Sequence, residues 1–172
     1  MTKIITTVLL GGVVGLSLPE EADCIIEEIR PVLEYMESSN NPKAVGDDGK
    51  ALGLLQIHKG AVTDVNTVYG LTYDHRDMLN ADIAREVYKL YMAIARDQIH
   101  NTEGREATEE DYVRSWNGGA YNGWKTKATD KYWKAYEHAR SRHYQICIRK
   151  CGDTRENEHG ICENCGTFIL EK

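Results

Sequence analysis

The 172 residues suffice for one ordinary domain with a core of its own. With 41% hydrophobic and 28% charged residues, the composition is that of a soluble globular protein. The net charge is −6 and Lys and Arg are scattered rather than clustered, which argues against nucleic acid as the main partner, because phosphate binding needs a basic footprint.

In chain order, Met1–Leu18 is short and greasy: Lys3, then an apolar run from Ile4 broken only by Thr6, Thr7 and Ser17 among the hydroxyl residues. A basic start, an apolar stretch and the small residues Gly15 and Ser17 fit a secretory signal peptide. The run is short for a membrane span. Its glycines also resemble the weakly hydrophobic, releasable anchors of some phage endolysins. The other reading is a buried N-terminal strand or helix of the domain itself.

Pro19 breaks the run, and Glu20 and Glu21 open a helix. Ile25, Ile29, Val32, Leu33 and Met36 share one helical face, and Pro31 within it predicts a kink or a restart. Glu37 follows Met36 at the edge of that stripe, where apolar neighbours keep a carboxyl group protonated to higher pH. A polar loop with the turn formers Gly46-Asp47-Asp48-Gly49 comes next. Leu54, Ile57, Ala61 and Val65 then form a row that predicts a helix from Gly53 to Asn66, with Gln56 off the row and free to face a cleft.

A loop around Gly70 leads to a long helix over about 80–100, where Leu79, Ile83, Val87, Leu90, Tyr91 and Ile94 repeat at helical spacing and predict the central packing element. Thr108-Glu109-Glu110-Asp111 reads as a capped helix start, and Asn117-Gly118-Gly119 as its stop. A last helix is predicted over 130–146, with Tyr132, Trp133, Tyr136 and Ala139 inward. The expected fold is therefore mostly α, with at most a tiny β-hairpin at Asp47–Lys50 or in the tail. The expected division is a leader or anchor at 1–18, one domain over 19–146 and a Cys-rich tail over 147–172.

Four of the five cysteines form Cys147-x3-Cys151-x10-Cys162-x2-Cys165, two close pairs followed by Gly152 and Gly166. The spacing is zinc-ribbon-like, with each pair clamping one side of a tetrahedral ion, and His159 is a possible substitute ligand. Two disulfides are the competing reading, because an exported chain meets an oxidising compartment. Either arrangement staples the tail; any zinc is expected to be structural, and no cofactor is expected for chemistry in the rest of the chain. Cys24 stands alone.

Ten Tyr and three Trp against one Phe is an unusual balance. Such side chains join a flat apolar face to a polar handle, which suits sugar-binding grooves as well as cores and rims. Glu37 at a helix end and the Asp47–Asp48 turn about ten residues on bring carboxylates together between packed helices, as glycosidic bond cleavage requires.

Glu37-Ser38 followed by Gly46-Asp47-Asp48-Gly49-Lys50-Ala51-Leu52-Gly53-Leu54-Leu55-Gln56-Ile57 resembles the catalytic region of the lysozyme-like superfamily. It is closest to goose-type lysozymes and soluble lytic transglycosylases, whose pattern is Glu-Ser followed by Gly-Leu-Met-Gln. Leu55 stands where Met is usual, a volume-conserving change. Ser115-Trp116-Asn117-Gly118-Gly119 resembles the family's later Ala-Tyr-Asn-x-Gly motif, and Lys131-Tyr132-Trp133 its final Tyr-containing helix. The resemblance spans roughly Ile25 to Tyr144 and leaves the tail outside.

The resemblance implies a lysozyme-like helical domain that cleaves the β-1,4 bond between N-acetylmuramic acid and N-acetylglucosamine, with Glu37 as general acid. It implies that Asp47, at the matching position counted back from Gly53, positions the attacking water; as plain turn residues Asp47 and Asp48 need no such role. Ser38, Gln56, Asn117, Tyr121 and Tyr132 are the expected substrate-binding groups, and Trp116, Tyr121 and Trp124 the candidate sugar platforms. A second acidic position of some goose-type enzymes is His58 here, which weakens the hydrolase assignment and otherwise makes His58 a rim residue.

If Glu37 works alone, the product is a 1,6-anhydro sugar, the lytic transglycosylase outcome. A glycan-binding or assembly module that kept the fold without the chemistry is the reading from another class. The expected partner is peptidoglycan, the expected state a monomer, and the expected location outside the cytoplasm, as a wall-remodelling or phage lysis protein.

Overall fold

The structure, a computed structural model, describes residues 20–151, with side-chain environments for residues 24–142. Among these, the helices are α1 (Glu20–Ser38), α2 (Lys59–Tyr69), α3 (Ala81–Glu103), α4 (Glu109–Gly118) and α5 (Asp130–Cys151). Short 3-10 turns cover Asp47–Gly49, His75–Leu79, Gly123–Lys125 and Lys127–Thr129. The strands β1 (Val45–Gly46), β2 (Ala51–Leu52) and β3 (Ile57–His58) form one antiparallel sheet in the order β1-β2-β3. The protein is thus mostly α, and its sheet has one strand more than the hairpin the sequence suggests. The expected leader at Met1–Leu18 and the thiols Cys162 and Cys165 lie outside the described residues. The backbone of α5 continues through Cys147 to Cys151, past the end predicted at residue 146.

α3 is the central element. Ala84, Val87, Tyr88, Met92, Ala95 and Ile99 are buried along it. α1 lays Ile26, Ile29, Val32 and Leu33 into the same core, and runs through Pro31 as one helix. Burying side chains of this size contributes about 1.5–3 kcal/mol each. Polar ties fix the pairing of the two helices. The buried Tyr88 hydroxyl donates to the Ile26 carbonyl at 2.8 Å. Glu34, only 5% exposed, accepts from Arg30 at 2.7 Å on its own helix and from Arg85 at 2.8 Å on α3. A carboxylate so deeply covered needs both partners to offset its desolvation.

The capping box expected at Thr108 is present in full. Its hydroxyl takes the Asp111 amide, and the Asp111 carboxylate takes the Thr108 amide. Arg105 closes onto the same carboxylate at 2.6 Å. α4 ends at Gly118, with Gly119 at positive φ beyond it, as the Gly pair predicts.

The helix expected from Gly53 instead starts at Lys59. Gly53 has φ +77°, and a Cβ there would fall 1.8 Å from the Met78 carbonyl oxygen. The chain turns at this point, the Gln56 amide donating to the Gly53 carbonyl at 3.1 Å, and then forms β3. The apolar row read as helical is real, since Leu54, Leu55 and Ile57 are all buried, but they enter the core from a turn and a strand.

Candidate active site

The end of α1, the sheet, the start of α2 and the end of α4 enclose a cleft of about 560 Å³. Glu37, Asp47, Gln56, His58, Asp64 and Asn117 are among its polar walls, with Tyr91 and Trp116 among the aromatic ones. Glu37 reaches it from the penultimate position of α1. The Ser38 hydroxyl beside it donates to the Leu54 carbonyl at 2.7 Å, which ties the helix end to the Gly53–Gln56 turn. Ser38 is therefore committed to structure and lies outside the cleft lining, away from the substrate-binding position expected of it.

Burial pushes the Glu37 carboxyl above the usual range, and the negative charge of Asp47 adds to the shift. The Tyr132 hydroxyl, the Trp116 indole and the His58 ring oppose it by favouring the ionised form. The Tyr132 hydroxyl donates directly to Glu37 Oε1. Tyr132 thus contacts the acid from α5, behind the cleft. Burial and the neighbouring Glu37 carboxylate push the Tyr132 phenol well up, so it remains a donor at any working pH.

Asp47 approaches from the sheet side. Pairing of Gly46 with Ala51, and of Ala51 with His58, lines these three residues up across the strands. Asp47 follows Gly46 at φ +48°, a strained conformation for a non-glycine residue, and its Oδ2 lies 3.0 Å from His58 Nε2. Gln56 is also left-handed, at φ +48°, and its side chain folds back so that Nε2 donates to the Gly53 carbonyl at 2.8 Å. Its Oε1 lies where a Cβ on Gly46 would come within 2.2 Å, so a glycine at position 46 is what leaves room for the amide. Two strained residues on one cleft wall are typical of a site whose surroundings over-determine the backbone.

Trp116 stands edge-on to Tyr88 and Tyr91, with ring centroids 5.2 and 6.0 Å away, and borders the cleft. Asn117 beside it is exposed at the rim. Trp124, expected as a sugar platform, is only 5% exposed and cannot offer its face to a ligand. The cause is local packing: Gly123 sits so close to α4 that a Cβ would come within 2.6 Å of the Arg114 carbonyl oxygen, and the indole that follows is drawn into the core. Tyr121 is exposed and lies outside the cleft lining.

Asp64 and Tyr91 are further cleft residues; the sequence offers Tyr91 only as part of the packing row of α3 and does not mark Asp64. Asp64 follows Ala61 by one helical turn on α2, and both face the cleft. Burial raises its carboxyl above the usual range. That it shares a cleft with Glu37 follows from tertiary packing, for which the sequence holds no local signal. Among the described residues, no group of three or more His, Cys, Asp or Glu side chains is arranged to hold a metal ion, and no helix is long and apolar enough to cross a membrane.

Chemically, the cleft joins a half-buried carboxyl group whose pKa burial raises to a second, exposed carboxylate paired with an imidazole. No family model, curated protein or solved structure matches the chain.

Proposed function

We propose that the protein is a peptidoglycan glycosidase of lysozyme-like type, hydrolysing the β-1,4 bond between N-acetylmuramic acid and N-acetylglucosamine. The observation that carries this reading is Glu37: a carboxyl group whose pKa burial raises, anchored by Tyr132 and open to a cleft that also holds Asp47. A general acid of this kind must keep its proton near neutral pH and deliver it to a leaving oxygen. Glu37 protonates the glycosidic oxygen as the bond to the anomeric carbon breaks. The developing positive charge on that sugar is stabilised by the Asp64 carboxyl group, which also lines the cleft. The volume suits a few sugar rings. Trp116 and Asn117 at the end of α4 are the groups available to a ring face and to its hydroxyl or acetamido substituents. The three-strand sheet beside the acid-bearing helix supports the lysozyme-like reading of the fold. Met1–Leu18 is the segment proposed to direct the chain to the wall.

The test is mass spectrometry of fragments released from purified peptidoglycan. Fragments with reducing ends are expected from the wild type and none from Glu37→Gln. Anhydro ends would replace hydrolysis by transglycosylation, and binding without release would leave a glycan-binding module.

A further inference from the structure

Resting on that reading, we propose that His58 is the base that activates the attacking water, and that Asp47 is its positioning residue. Asp47 does not stand alone in the cleft. Its Oδ2 is 3.0 Å from His58 Nε2, and both side chains line the cleft that Glu37 enters. The contact is built in by the backbone: the sheet register sets His58 across from Ala51 and Gly46, and the strained turn at Asp47 bends the carboxylate back over that row. A neutral imidazole that donates from Nε2 to a carboxylate is fixed in one tautomer, with its lone pair on Nδ1. An imidazole oriented in this way by a carboxylate is a better base at neutral pH than a solvated carboxylate, whose ordinary pKa lies far below it. His58 is half exposed, so water reaches it directly.

The step balances without any further reagent. Water gives one proton to His58 Nδ1 while its oxygen bonds to the anomeric carbon. The bond from that carbon to the glycosidic oxygen breaks, its electron pair stays on the oxygen, and the oxygen takes the proton of Glu37. The imidazolium returns its proton and Glu37 regains one through solvent.

The titratable groups that share the cleft with His58 are Glu37 from α1, Asp47 from the β1–β2 turn, Asp64 from α2 and Tyr91 from α3.

Kinetics on soluble glycan fragments test this. His58→Ala and His58→Gln should each lower kcat by about 100-fold or more with KM little changed. Added imidazole should restore part of the rate of His58→Ala. Asp47→Asn should also lower kcat, and Asp47→Asn with His58→Gln should cost no more than the worse single change, because the two act as one unit. Rates within a few-fold of wild type in the His58 variants, a loss confined to KM, multiplicative losses in the double variant, or anhydro ends on the wild-type products would each overturn the proposal. Glu37→Gln separates this from the parent reading: if that variant is dead while the His58 variants are fully active, the acid stands and the dyad falls.

Discussion

The hydroxyl of Tyr132 on α5 donates to Oε1 of Glu37 at the end of α1, across 95 residues of chain. The two helices pack against each other, so the orientation of the acid depends on a helix that contributes little else to the cleft. The bond also favours the ionised carboxylate, against the burial that favours the acid.

Tyr132→Phe removes that donor and leaves the burial. The Glu37 carboxyl should then rise further above its ordinary value, and the alkaline limb of kcat/KM, which reports loss of the acid's proton, should move to higher pH. The maximal rate should fall about 10-fold as the carboxyl group loses its anchor. A pH–rate profile of the variant checks both; a limb that moves to lower pH would show the wrong sign.

Glu37 should also make stability depend on pH in a direction opposite to that of a salt-bridged carboxylate. Its folded-state pKa lies above the ordinary 4.5 because of burial. Below about pH 4.5 the group is protonated in folded and unfolded chains alike, and contributes no penalty. As pH rises, the unfolded chain releases its proton first, so folding is progressively disfavoured until the folded-state pKa is passed, and the penalty is constant above that. Glu37→Gln should therefore melt higher than wild type at pH 7, with the difference shrinking toward zero at pH 3.5. Thermal scans at the two pH values decide it; a difference independent of pH would point to packing alone.

Glu34 offers a purely structural contrast. Glu34→Ala leaves Arg30 and Arg85 facing each other without the carboxylate between them. The cost should be about 2–3 kcal/mol, below the value for a fully buried pair because both guanidinium groups keep some contact with water. Denaturant titration measures it, and a change under about 0.5 kcal/mol would mean the network is energetically idle.

The two glycines beside Gln56 should separate stability from activity. Gly53→Ala combines a positive φ with a backbone clash against Met78, and should cost about 3 kcal/mol. Gly46→Ala meets only the end of the Gln56 side chain, at a φ of −118° that any residue tolerates. It should cost about 1 kcal/mol or less and still reduce the cleavage rate about 10-fold, by pushing the amide off the cleft wall. Paired melting and rate measurements distinguish the two; equal losses of stability would contradict the assignment.

Much of this was legible along the chain because the signals were local. The apolar face of α1 leading to Glu37, the capping box at Thr108 and the stop at Gly118–Gly119 each depend on residues within a few positions. The segment from Gly53 to His58 was misread for a physical reason. Two-residue strands are too short to display an alternating pattern, and buried Leu54, Leu55 and Ile57 mimic a helical row. What forces the turn is the Met78 carbonyl, 25 residues away in sequence. Likewise, nothing near Trp124 announces that Gly123 will pack on α4, and nothing near Asp64 announces Glu37. The Asp47–His58 pair needed the strand register, which strands of two residues leave open in the sequence.

Glu37 also sits in the last turn of α1, a turn that contains no basic residue. The final carbonyl groups of a helix carry the negative end of its dipole, and a carboxyl group placed among them is discouraged from ionising. The backbone of α1 thus acts on the Glu37 carboxyl in the same direction as burial, and no single side-chain substitution around Glu37 removes it. In the proposed mechanism, the direction in which a helix runs helps to hold the proton that Glu37 delivers.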